Sequence, residues 1–129
     1  MFTSKFETQI YAVLRILTGF LFMCHGSQIL FNYPPSEMEM PQYIFWIAGP
    51  IEFFGGLLVM IGLFTPWAAF IASGEMAFAY WSAHGTVAFL PIVNHGELAV
   101  LYCFLFLFIS AKGSGTFSID HLIKNRNMR

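Results

Sequence analysis

Arg15, His25, Glu52, Glu75, His84 and Glu97 lie within, or at the ends of, long apolar stretches of this chain. A charged side chain in hydrocarbon costs roughly 2.5–3.5 kcal/mol on insertion scales, so such groups turn toward a helix-bundle interior and meet one another or a ligand. Carboxyls and imidazoles held beside apolar walls are suited to proton exchange, the chemistry that quinone reduction needs. The histidines show no spacing such as His-Glu-x-x-His, so no metal site is expected. No haem, flavin or iron–sulfur signature is present either, so no cofactor is recognisable and electrons would come from a partner protein.

The elements that position these residues follow from composition. With 57% hydrophobic residues, 16 Phe and only 10% charged residues in 129 positions, a soluble domain would be left with too much exposed apolar surface. A net charge of −1 lacks the basic stripe that neutralises phosphates, which argues against a nucleic-acid partner. The pattern predicts an all-α fold: one domain over 1–129, an integral membrane four-helix bundle with antiparallel helices at about 8–31, 41–64, 66–83 and 94–111. The first helix is expected to be permanent, because His25-Gly26-Ser27-Gln28 interrupts it where a signal peptide would show a small-residue cleavage site.

Pro41 suits a first helical turn, and Pro50 should bend the second helix by opposing the carbonyl of Trp46. Thr65 is a candidate N-cap before Pro66, and Asn94 and Glu97 have the spacing of a capping pair. Lys5 and Arg15 begin the first helix, while Lys112, Lys124, Arg126 and Arg129 follow the last, and the loops between helices carry no basic residue. By the positive-inside tendency both termini are cytoplasmic.

Counting about 1.5 Å per residue from the expected span ends places Arg15, Glu52 and Glu75 at similar depths near the midplane. His25, His84, His95 and Glu97 form a second group toward the outer face. Arg15, Gly19 and Gly26 share one helix face, as do Gly49, Glu52 and Gly56, and Glu75 aligns with Ala72, Ala79 and Ser82. Small residues beside a charge mark a helix contact face in lipid. Arg15 with Glu52 or Glu75 reads equally as an ion pair fixing register or as part of a site, and Glu97 equally as a helix cap. His95 is expected to bond a loop carbonyl, and Cys24 and Cys103 to be buried, unpaired thiols.

Read in order, the blocks Arg15-x-x-x-Gly19-x-x-Phe22-x-x-His25-Gly26, Glu52-Phe53-Phe54-Gly55-Gly56, Gly74-Glu75-Met76-Ala77, Asn94-His95-Gly96-Glu97 and Gly113-Ser114-Gly115 through Asp120 resemble the DoxX family of membrane proteins. The resemblance covers nearly the whole chain. Many relatives carry Asn-Gly-Gly-Glu where this chain has Asn94-His95-Gly96-Glu97, which adds an imidazole. The family includes the small quinone-reacting subunit of thiosulfate:quinone oxidoreductase. The resemblance therefore implies a multi-pass protein of the bacterial cytoplasmic (inner) membrane linked to electron transfer into quinone.

The expected function is a redox-associated membrane subunit whose polar core holds a quinone or similar apolar ligand. Its ligand or proton-path residues are Arg15, His25, Glu52, Glu75, His84, Asn94 and Glu97, and its partners are membrane lipid, a soluble or membrane redox protein, and a second copy of the chain. A non-catalytic scaffold or partner anchor, and a small lipid or apolar-molecule binder or transporter, are the alternatives.

Overall fold

The computed structural model describes residues 2–37 and 39–128; position 38 in the first loop and the basic residue Arg129 lie outside it. The described residues are mostly helical, with no strand among them. A short 3-10 turn leads into α1 (Glu7–Phe31), an unbroken and mostly apolar helix of about 37 Å against a hydrocarbon thickness of about 30 Å. The second helix, α2, spans Ile44–Ile61. Then follow α3 (Thr65–Ala79) with a π-helical extension Tyr80–His84, the single turn α4 (Pro91–Asn94), α5 (Glu97–Lys112) and the surface helix α6 (Ile119–Asn127).

Two helices, Ser4–Phe31 with its leading turn and Ile44–Ile61, are long and apolar enough to cross a membrane. Outward faces throughout are apolar: Leu17, Phe20, Phe54, Trp67, Phe70, Leu101 and Phe104 are each exposed. In water so continuous an apolar surface would drive association; acyl chains are its natural solvent.

Packing of α1 on α2 is set by glycine. A Cβ at Gly19 would lie 2.6 Å from the Gly56 carbonyl oxygen, one at Gly56 2.7 Å from the Gly19 carbonyl oxygen, and one at Gly26 2.6 Å from Phe53 Cα. The two backbones are therefore in direct contact and run antiparallel, as the two small-residue stripes predict. Gly19→Val is expected to cost about 3 kcal/mol or more in thermal unfolding of the solubilised protein, since backbone cannot yield as a side chain does. Gly74, around which a Cβ meets nothing within 4 Å, is the control: Gly74→Ala should gain about 0.5–1 kcal/mol.

The end of α2 differs from expectation. Helical structure begins after Pro41, and it stops at Ile61 because Gly62 takes a left-handed φ of 74° and folds the chain back, with Leu63 N donating to Leu58 O at 2.9 Å. Pro50 is accommodated between two π-helical turns, Ile44–Ala48 and Ile51–Gly55, whose wider winding absorbs the missing donor and the ring.

At α3 the N-cap is Phe64 rather than Thr65, which is already the first helical residue. Its cap comes from far along the chain: the Phe64 and Thr65 amides donate to Asp120 Oδ1 and Oδ2 at 3.0 and 3.2 Å. A carboxylate on the first amides of a helix also faces the positive end of the helix dipole. Asp120 is held there by Ser118, whose hydroxyl caps α6 by accepting from His121 N at 3.2 Å.

The helix α3 packs along α5, burying Ala68, Ala69, Ala72 and Met76 with Ala99, Tyr102, Phe106 and Ile109. Phe22 of α1 reaches this layer, with its ring 4.6 Å from that of Phe106. The start of α1 meets the end of α5, where Lys112 Nζ lies 2.7 Å from Glu7 Oε1 and the Tyr11 hydroxyl donates to the Gly113 carbonyl.

Candidate functional site

The expected juxtaposition of Arg15 with Glu52 or Glu75 does not occur. Arg15 is fully buried, and Nη1 donates to the carbonyls of Val59 and Met60 at 2.7 and 2.9 Å, while Nη2 donates to those of Phe117 and Thr116 at 2.7 and 3.4 Å. These carbonyls lie at the end of α2 and in the loop after α5, where helical donors run out; that of Val59 also accepts from Gly62 N at 3.2 Å, and a guanidinium has the donors to serve all four together. Register explains the separation. Gly19 sits over Gly56 and Met60 while Gly26 sits over Phe53, so Arg15 is level with the last turn of α2 and Glu52 lies about 11 Å further along it. Arg15 is a clasp for the fold and has no part in the carboxyl site.

Asn94 is structural as well. It is buried, its Nδ2 donates to Tyr80 Oη at 3.0 Å and Ala88 O at 2.8 Å, and its Oδ1 accepts from Gly96 N at 2.8 Å. All of its polar groups are engaged in folding residues 80–96 back on themselves. The expected capping pair with Glu97 does not form: His95 adopts a left-handed φ of 59°, Gly96 occupies the N-cap, and no side chain caps α5. Glu97 is exposed and opens the first turn of α5, where it faces the positive end of the helix dipole.

The remaining candidates surround two adjoining chambers. The first, of about 290 Å³, is lined by His25, Glu52, His84, His95 and Tyr102 together with Phe22, Met76 and Ala99. The second, of about 190 Å³, is lined by Glu52, Glu75 and Ser82 among Tyr43, Ile44, Ile47 and Phe78. Glu52 and Ala79 belong to both walls. Glu52 is only 7% exposed, and Oε2 of both Glu52 and Glu75 is buried without a hydrogen-bond partner among the described residues. An orphaned carboxyl oxygen is costly, and it is relieved by a proton or by a donor that a ligand brings.

Local backbone places these groups. Glu52 lies in the π-helical turn after Pro50, and His84 ends the π-helical turn of α3. Such widened turns shift a side chain off the regular helical stripe and recur at functional sites. His84 stacks on Tyr80, and its Nδ1 is 3.0 Å from Asn94 O, so its other ring nitrogen is left for the chamber. His25 is exposed and meets Tyr102 edge-on, with ring centroids 6.3 Å apart.

Two lining residues were outside the expected set. Tyr102 belongs to a 3-4-3 stripe of Ala99, Tyr102, Phe106 and Ile109 that marks the buried face of α5, and it could have been found from that spacing. His95, expected at a loop carbonyl, lines the first chamber because its left-handed backbone redirects the loop. Both cysteines are free, and Cys103 contributes its carbonyl to Ser73 Oγ at 2.7 Å. Among the described residues, no group of three or more His, Cys, Asp or Glu side chains is arranged to hold a metal ion.

The chain is similar to a protein of Haemophilus influenzae, described only as uncharacterized, with 38% identity over 126 residues covering 92% of this chain and 93% of the relative. No solved structure matches it. The DoxX family profile matches residues 10–85, which include most of α1 and all of α2, α3 and its π-helical extension and therefore carry His25, Glu52, Glu75 and His84. With that match spanning more than half of its length, the chain belongs to the DoxX family of membrane proteins.

Proposed function

We propose that this protein is a four-span membrane subunit of a redox system, and that its second chamber binds the ring of a quinone or a similar apolar carbonyl compound. The spans in this reading are α1, α2, α3 with its π-helical extension, and α5, all antiparallel in the bacterial cytoplasmic membrane. Lys5 precedes α1 and Lys112, Lys124 and Arg126 lie at or beyond the end of α5, which meets the start of α1 through the Lys112–Glu7 pair, so the positive-inside tendency puts both termini in the cytoplasm.

One observation carries the ligand reading: two carboxyls, each with one buried oxygen that has no partner among the described residues, line a common cavity whose other walls are mostly apolar and aromatic. Ligand sites have this composition, a mostly apolar lining with a few convergent polar groups. The chamber is smaller than the range of about 300–1,000 Å³ typical of drug-sized ligands, which suits a single ring whose tail stays among the acyl chains. Glu52 and Glu75 would hold its oxygens by donating hydrogen bonds. A bound quinone would accept the electrons a partner supplies, while the chain's own contribution is to orient the ring and exclude water.

The test is mass spectrometry of lipid extracts from gently purified protein, comparing wild type with Glu75→Gln. A quinone retained by wild type and depleted at least about tenfold in an equally stable variant supports the site. Equal retention in both, or retention in neither after reconstitution with added quinone, removes it.

A further inference from the structure

The two chambers meet at one polar residue. Of the two side chains common to both walls, Ala79 has no exchangeable group, so a proton passing from the first chamber to the second has Glu52 as its carrier. We propose that Glu52 is a proton-relay residue that connects the histidine-lined chamber to the carboxyl of Glu75 in the ligand chamber. The proposal rests on the ligand reading for its biological purpose, and its geometry stands without it.

Glu52 is more than nine-tenths buried, and Oε2 has no hydrogen-bond partner among the described residues, so no bond to that oxygen ties the carboxyl to one side. Facing it across the first chamber are His25 from α1, His84 from the extension of α3, His95 from the loop and Tyr102 from α5. Across the second lie Glu75 of α3 and Tyr43 at the start of α2. The step balances without a redox change. An imidazolium of the first chamber gives its proton to the Glu52 carboxylate and is recharged from water, and Glu52 passes the proton to the Glu75 carboxylate or to a ligand oxygen. Two carboxyls on one small chamber also have reason to share a proton, because like charges so close disfavour double ionisation. Glu97, expected on this path, lines neither chamber, and Tyr102 and His95 take its place.

The experiment uses ligand-free protein in lipid nanodiscs and infrared difference spectroscopy. The band of the protonated Glu75 carboxyl is identified by its loss in Glu75→Gln, at a pH lowered until that band is present. Its rate of hydrogen–deuterium exchange is then read after transfer to heavy water. Exchange is expected to slow by at least about tenfold in Glu52→Gln, to recover in Glu52→Asp, and to slow by a lesser factor when His25 and His84 are both replaced by Phe. Unchanged exchange in Glu52→Gln overturns the relay, and so does slowing in Glu52→Asp as large as in Glu52→Gln, which would indicate a structural disturbance. Since no quinone is present, failure here leaves the ligand reading standing, and failure to retain quinone leaves the relay standing.

Discussion

Arg15→Ala is expected to lower the stability of the solubilised protein by about 3–5 kcal/mol and to release the segment that follows α5. The magnitude follows from the partners: Nη1 and Nη2 donate to four carbonyls, each bond to a charged group contributes about 1.5–3 kcal/mol, and the contributions are not additive. Truncation also takes the side-chain donor from each of those carbonyls, of which that of Val59 keeps the Gly62 amide. Because Phe117 lies three residues before Asp120, losing the clasp loosens the carboxylate that caps α3, so the defect spreads beyond α1 and α2. Arg15→Lys keeps the charge but replaces a planar fork with a compact ammonium, and its loss should be intermediate. The measurement is thermal unfolding combined with thiol labelling of Thr116→Cys in a background where Cys24 and Cys103 are replaced by Ala. Thr116 Oγ1 is buried and has no hydrogen-bond partner among the described residues, so labelling should be slow while Arg15 is present and fast in the Arg15→Ala variant. Unchanged unfolding and labelling in Arg15→Ala would defeat the clasp.

The same residue shows what the amino-acid pattern reveals and what it hides. A buried Arg in an apolar helix had to face inward, and it does. Its partner was not legible, because depth counted from span ends inherits every error in those ends at about 1.5 Å per residue. Helical structure starts right after Pro41 as expected but stops at Ile61, whereas Phe64 looks like its limit, and the register is fixed by contact of Gly19 with Gly56 that no count reveals. The glycine stripes themselves were legible, since lack of a side chain is the condition for two backbones to touch. Asp120 was visible only as part of a terminal motif; its role depends on amides at Phe64 and Thr65, far away in sequence. Asn94 and Glu97 fit a capping box by spacing alone, yet the left-handed turn at His95 moves Asn94 out of the helix and gives it to the loop.

Glu52→Met is expected to stabilise the protein while abolishing ligand retention and proton relay. The two outcomes have one cause. A carboxyl oxygen buried without a partner costs about 1–3 kcal/mol, and Met fills nearly the same volume with no polar atom, so removing the carboxyl should return that cost as a higher unfolding temperature. A residue that had its place for structural reasons would behave in the opposite way, since removing one member of a satisfied network leaves the others unpaired. Arg15 and Asn94 are of that structural kind, each bonded on several sides, although Arg15 Nε has no partner among the described residues. Glu52 and Glu75 differ, each having an Oε2 with no partner among the described residues. Thermal unfolding of Glu52→Met beside Arg15→Ala therefore separates the two classes by sign. A rise for Glu52→Met accompanied by loss of bound quinone means that the fold tolerates a destabilising group where a site requires it. A fall of several kcal/mol would mean that Glu52 has a partner holding the helices together, and the chambers beside it would lose their claim to function.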